Sequence, residues 1–151
     1  IAKELGATFN HAFWAENTPR RSTYLACRAV LAAKRQSLER EMVDAIQQGY
    51  YLRAMNPSDE DVLIQLAGEV LDQGCDLLDQ FCTDLRSEDI VQELQQHISQ
   101  SRQFQGEGVA GGFPSLVLCV RCQGVEDQHY GVNVDYENAD TVLSQIASYL
   151  D

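Results

Sequence analysis

The side chains with the most chemical reach in this sequence are five cysteines, Cys27, Cys75, Cys82, Cys119 and Cys122, and three histidines, His11, His97 and His129. Cys119-Val120-Arg121-Cys122 is a literal C-x-x-C, a spacing that serves thiol–disulfide exchange or half of a zinc site. Its setting argues against both. The motif closes an apolar run, Leu116 to Val120, that reads as a strand, where positions three apart point to opposite faces, and no helix N-terminus follows to stabilise a thiolate. Cys119 is therefore expected in the core and Cys122 is incidental. A structural zinc site wants four ligands at recognisable spacing, and the other cysteines and histidines show none, so no metal is expected. Cys27 fits core packing, while Cys75 and Cys82 are seven apart and share a helix face if Gly74 leaves the register intact. His97 and His129 read as solvated histidines.

A different stretch carries a stronger signal. Gly111-Gly112-Phe113-Pro114-Ser115 runs straight into the apolar strand, and a proline cannot donate to a sheet ladder, so it belongs at a strand's first residue or on an edge. The glycines beside it permit close backbone approach. Gly112, Phe113 and Pro114 are thus the candidate substrate-binding residues. Phe13 and Trp14 either pack in the core or line a groove, and Arg20 and Arg21 either solvate a helix start or meet an acidic group such as a glutathione carboxylate.

The elements that must position these residues follow from periodicity. Thr18-Pro19 or Ser22 opens a helix over Thr23 to about Ser37, with Tyr24, Cys27, Val30 and Leu31 apolar. Met42, Val43, Ile46, Gly49 and Tyr50 repeat at helical spacing toward Met55, and Asn56-Pro57-Ser58 punctuates. Ser58 with Asp61 has the form of a capping box ahead of the stripe Val62, Leu63, Leu66, Ala67, Val70. After Gly74 a short helix carries Leu77, Leu78, Phe81 and Leu85, and Ser87-Glu88-Asp89 opens another with Ile90, Val91, Leu94, Ile98 and Phe104 inward. From Gly106 the character changes. Residues 115 to 121 are apolar on both faces, as in a central strand covered on two sides. A hairpin through Gln123-Gly124 leads to a half-buried strand with Tyr130, Val132 and Val134 on one face, and Asn138 or Asp140 opens a last helix with Val142, Leu143, Ile146, Ala147 and Leu150 apolar. A two-stranded ribbon is marginal alone. Its sheet partners are expected from a second copy or from sequence upstream of Ile1.

Bulk properties bound the function. The chain has 151 residues, 44% hydrophobic, with no run long enough to span a membrane. A net charge of −12 disfavours nucleic acid, whose binding rests on cationic groups displacing counterions from phosphate. Six of the eleven basic residues, Arg20, Arg21, Arg28, Lys34, Arg35 and Arg40, do cluster early, and they read as a solvated helix face. An odd cysteine count scattered through helices and strands fits a reducing, cytoplasmic compartment. Ile1 to Gly6 looks like the last turn of a helix closed by glycine, as though the chain begins in mid-fold.

The order of a long helical block, then Gly-Val-Ala-Gly-Gly-Phe-Pro-Ser-Leu-Val-Leu (residues 108 to 118), a hairpin and a terminal helix resembles the DsbA-like thioredoxin family of disulfide oxidoreductases. Phe13-Trp14, Pro19 to Tyr24, Ala26 to Val30 and Asn56 to Asp59 are similar to its branch labelled protein-disulfide isomerase, and the likeness covers most of residues 9 to 150. The family usually has one glycine before Phe-Pro; this chain has two. The resemblance implies an α/β thioredoxin-like fold with an all-helical insertion, here cut down to the helical block plus the C-terminal strand-strand-helix. It divides the chain into a linker end over 1–17, the helical insertion over 18–105 and the C-terminal half of the thioredoxin-like domain over 106–151. It also implies that Pro114 is a cis-proline, with Phe113 presenting its backbone to an extended substrate peptide. That loop would face a C-x-x-C upstream of this chain, at a helix N-terminus where the dipole stabilises a thiolate. No catalytic residue is then expected within the chain, which alone would be inert. The partners implied are protein or small-molecule thiols and disulfides, with glutathione a possible co-substrate and no other cofactor.

Two alternatives stand beside it. A glutathione-dependent isomerase or kappa-type glutathione transferase shares the architecture, but the tail Tyr130 to Asp135 lacks the Gly-x-Asp-Arg pattern usual near the last helix of such enzymes. A non-catalytic helical interaction domain would instead complete its sheet by homodimerising.

Overall fold

Apolar residues at helical spacing dominate the first two thirds of the chain, and among the described residues the computed structural model folds them as six helices. It describes residues 8–20, 22–71, 75–112, 114–121 and 124–150, with the side chain of Cys75 excepted. The expectations placed on Ile1 to Gly6, Arg21, Gly74, Phe113, Cys122 and Gln123 lie outside the described residues. The chain divides into two compact units, Ile1–Gln95 and Gln96–Asp151.

In the first unit α1 spans Phe13–Glu16, α2 Tyr24–Lys34, α3 Glu39–Arg53, α4 Glu60–Val70 and α5 Cys75–Arg86, and α6, Glu88–Gly106, begins there. Its core joins Ala29, Ala32 and Ala33 of α2 to Met42, Leu63, Leu66, Phe81 and Leu85. Of the expected face of α2, Leu31 is buried and Val30 packs against the core, but Tyr24 and Cys27 are exposed. Ala29, Ala32 and Ala33 take the inner side with Leu31 because small side chains let neighbouring helices approach closely. Leu77 likewise points to solvent while Leu78, Phe81 and Leu85 turn inward.

The helix ends have local causes. Past α2, Ser37 is left-handed (φ 63°), and Ser37 N–H donates to the Lys34 carbonyl (2.9 Å) and Leu38 N–H to the Ala33 carbonyl (3.0 Å), a Schellman closure without glycine. The expected capping box is not made. Asp59, not Ser58, takes the N-cap position of α4, because the Ser58 hydroxyl is engaged by the buried Asn56, donating to its Oδ1 at 2.6 Å. Glu60 and Asp61 still complement the dipole. Ser87 does cap α6, its Oγ accepting from Ile90 N–H at 3.3 Å.

In the second unit α6 closes with Gly108 left-handed (φ 73°), Gly108 N–H donating to Gln105 and Val109 N–H to Phe104. Strands β1, Leu116–Val120, and β2, Gln128–Val132, pair antiparallel, with Leu116 opposite Val132 and Cys119 opposite His129. Helix α7, Ala139–Ser148, is capped by the Asn138 side chain, which accepts from Asp140 N–H. Tyr149 beyond its end stacks on Tyr130, centroids 4.6 Å apart.

The covering expected on both faces of β1 is not met among the described residues, where the sheet has two strands. Leu116 is 45% exposed and Cys119 is exposed rather than in the core, since a two-stranded ribbon offers too little surface to bury both. Among the described residues no helix is long and apolar enough to cross a membrane.

Candidate functional site

The proline loop sits between two fixed points of the second unit, the Schellman turn at Gly108 and the first residue of β1. Gly112 has φ of +148°, a backbone state side chains rarely adopt, although a β-carbon there would meet open space. Conformation, not crowding, is what this position asks of glycine. Ser115 fastens the loop to itself: its hydroxyl accepts from Gly112 N–H at 3.2 Å and donates to the Gly112 carbonyl. Pro114 is exposed, and Phe113 lies outside the described residues.

Beside this loop opens a cleft of about 690 Å³, lined by Gly112, Pro114, Ser115 and Leu116 on one side and by Gly131 to Val134 on the other. Four glycines, Gly108, Gly111, Gly112 and Gly131, are among its lining residues. Close approach of the chain is possible because Gly131 has no side chain and faces the Val109 carbonyl. Where β2 ends, Asn133 N–H is held by Gln145 Oε1 at 2.9 Å. Asp135 accepts from the amides of Glu137 and Asn138, which holds its carboxyl below the ordinary aspartate range. The loop is thus a preformed stretch of irregular backbone with an exposed proline, suited to meet an extended chain.

His97, read from sequence as a solvated histidine, is exposed and also lines a smaller cavity of about 240 Å³ with Gly112 and Ser115. Helical periodicity held no signal for that placement. His129 departs from the solvated reading. It is half-buried on β2, edge-to-face with Phe104 at 4.8 Å, and its Nδ1 lies 3.9 Å from Glu107 Oε2. Among the described residues no three histidine, cysteine or acidic side chains gather as a metal site.

The first unit has a site of its own. Phe13 is buried and Trp14 exposed, so the pair neither packs wholly in the core nor lies wholly outside it. Both line a cavity of about 470 Å³ with Arg20, Tyr50, Tyr51 and the Asn56-Pro57-Ser58 turn. Asn56 braces that turn, accepting from Ser58 N–H (3.2 Å) and donating to Asp59 Oδ2 (3.0 Å), and Ser58 Oγ in turn accepts from Arg20 N–H at 3.3 Å. The remaining described members of the basic cluster behave otherwise. Arg28 donates to the Leu85 carbonyl closing α5, Arg35 bonds the buried Asp84 at 3.1 Å, and Lys34 lies 3.6 Å from Glu93. These three are tied to other elements, whereas Arg40 is exposed, as the solvated-face reading expects.

No family model matches this sequence, and no curated protein matches it. The fold is similar to two solved structures. One is the cytosolic disulfide reductase DsbM from Pseudomonas aeruginosa, with a TM-score of 0.65 and 21% identity over 99% of this chain and 71% of that one. The other is the same reductase with GSH, with a TM-score of 0.65 and 20% identity over 99% of this chain and 72% of that one. At such identity the likeness is one of fold. The chain has the DsbA-like thioredoxin arrangement of a helical block followed by strand, strand and helix.

Proposed function

We propose that this chain is part of a thiol–disulfide oxidoreductase in which residues 112 to 114 receive an extended substrate. The observation that carries the reading is the exposed Pro114 on a self-fastened loop at the mouth of β1, beside a glycine-rich cleft. The DsbA-like fold supports it, and so does the disulfide reductase activity named for both structural neighbours. On this reading the exchange pair is a C-x-x-C upstream of residue 1, of protein-disulfide isomerase type, facing the Phe113-Pro114 bond in its cis form.

The chemistry is a balanced exchange. A thiolate at the helix N-terminus attacks one sulfur of the substrate disulfide, forming a mixed disulfide and expelling the other sulfur as a thiolate. The second cysteine then attacks the mixed disulfide, releasing the reduced substrate and leaving the pair oxidised. Two molecules of a small thiol such as glutathione restore it, the first forming a mixed disulfide with the pair and the second attacking that bond to leave as the small-molecule disulfide; the neighbour solved with GSH motivates that choice. The chain's own part is binding. Gly112 gives the loop its conformation, and Pro114, having no N–H, leaves the approach free of a competing donor. A cytoplasmic setting suits such a reductase.

The test is a chain extended upstream of residue 1 along its gene, assayed for glutathione-driven reduction of a model disulfide. Activity that depends on an upstream cysteine pair and falls about ten-fold or more in Pro114→Ala supports the reading. An upstream segment without a cysteine pair, or a Pro114→Ala variant with full activity, overturns it.

A further inference from the structure

The aromatic cavity of the first unit has features that thiol exchange does not use. Its volume of about 470 Å³ is in the range of sites that enclose a small organic ligand. Its walls are a run of aromatic rings in edge-to-face contact: Trp14 on Phe13 (5.2 Å, 88°), Phe13 on Tyr50 (4.6 Å, 69°) and Tyr50 on Tyr51 (4.8 Å, 72°). Rings set at such angles hold one another in place, so the ligand-facing surfaces are fixed before anything binds. Trp14, though part of this wall, is 70% exposed, which leaves its indole face accessible to a ligand.

Charge defines the other end. The protein carries −12 overall, yet among the described residues no acidic side chain lines this cavity and Arg20 does. Arg28, Lys34 and Arg35 are engaged elsewhere in the unit, whereas the Arg20 guanidinium forms no salt bridge among the described residues. Ser22 and Thr23 also line it, at the start of α2, where Ser22 Oγ accepts from Tyr24 N–H at 3.5 Å and Thr23 makes no side-chain cap. An apolar slot of aromatic rings with a cation and the positive end of a helix at one rim selects a flat ring bearing a negative group.

We propose that the first unit binds a small aromatic carboxylate, its ring against Trp14 and Tyr50 and its carboxylate on Arg20. Arg20 supplies a paired donor fork that a lysine would not. The ring gains stacking and edge contacts that an aliphatic acid lacks. This site stands whether or not the thiol-exchange reading does, because none of its residues belongs to the proline loop.

Trp14 is the chain's single tryptophan, so its indole N–H gives one resonance in the ¹⁵N-labelled protein. Titration with 1-naphthoate should move that resonance saturably. The neutral isostere 1-naphthalenemethanol, the non-aromatic cyclohexanecarboxylate and glutathione should each bind about ten-fold or more weakly. Arg20→Gln should weaken naphthoate by a similar factor, and Ala26→Leu, which fills the cavity from its lining, should abolish the shift. Arg40→Gln, away from the lining, should leave it unchanged. The proposal is overturned by any of four results: no saturable shift, equal binding of the alcohol, tighter binding of glutathione, or an Arg20→Gln variant as tight as the parent.

Discussion

The Val109 carbonyl oxygen lies where a side chain on Gly131 would begin: a β-carbon there would press into it, with the carbonyl carbon 3.3 Å away. Val109 belongs to the turn that closes α6, and Gly131 is the β2 residue paired with Val117 of β1. The two segments framing the proline loop therefore meet through backbone. The Gly131 carbonyl also accepts from the Tyr149 hydroxyl at 3.3 Å, so one residue ties turn, ribbon and α7.

Gly131→Ala should accordingly cost about 1–3 kcal/mol, as overpacking against rigid backbone does. Gly111→Ala, where a β-carbon meets nothing within 4 Å, should cost under about 0.5 kcal/mol. Urea unfolding of the two variants checks the difference, and equal losses would contradict the contact.

Ser37 offers the opposite sign. It is exposed and holds a left-handed backbone at the end of α2, a state that costs a residue with a β-carbon about 1 kcal/mol. Ser37→Gly should raise the urea midpoint with an unchanged slope, a gain of up to about 1 kcal/mol. No gain would mean that the lost unfolded-state restriction of serine offsets the relief.

Asn56 is 3% exposed, and its amide satisfies both itself and the Ser58 turn. Asn56→Ala should destabilise by about 0.5–1.5 kcal/mol, because Ser58 and Asp59 lose the bonds that fix the turn, although both can reach water. The same variant should broaden or shift the Trp14 indole resonance, since the turn is one wall of that cavity. A shift in neither observable would contradict the bracing role.

Arg53 grips Glu69 with two bonds, Nη1 to Oε2 at 2.6 Å and Nη2 to Oε1 at 2.8 Å, and this guanidinium holds the Glu69 carboxyl below the usual glutamate range. A lowered folded pKa gives stability that is full above the unfolded value of about 4.3 and is lost as pH falls through the lowered one. Both side chains are over a third exposed, so solvent screening limits the pair to under about 1 kcal/mol. Glu69→Gln should be less stable than the parent at pH 7, converge with it near pH 3, and lose its deficit in 1 M salt. A deficit that persists at pH 3 would place its cause outside the ion pair.

Local pattern located the helices of the first unit after α1, the break near Gly106, the two strands and the last helix's start at Asn138 or Asp140, because each depends on neighbours within a few residues; α1, Phe13–Glu16, is too short to show a period. The stripe Leu63, Leu66, Ala67 is buried as its spacing requires. The proline loop was legible for the same reason: proline and glycine constrain their own backbone wherever they stand. Which face a helix buries is another matter. Tyr24 and Cys27 had the more apolar pattern, yet Ala29, Ala32 and Ala33 are inside, since the partner helices decide how near they can come.

Charge was the least legible. The cluster from Arg20 to Arg40 is one feature along the chain, but folding sends Arg28 to the Leu85 carbonyl and Arg35 to Asp84, partners 57 and 49 residues away. Arg20 alone of the cluster's described members lines the aromatic cavity, and no local rule singles it out. Local backbone chemistry travels with the sequence; the sharing of Cys119 and His129 across one ladder, or of Trp14 and Tyr50 around one cavity, exists only once distant segments are packed, because it depends on which surfaces exclude water together.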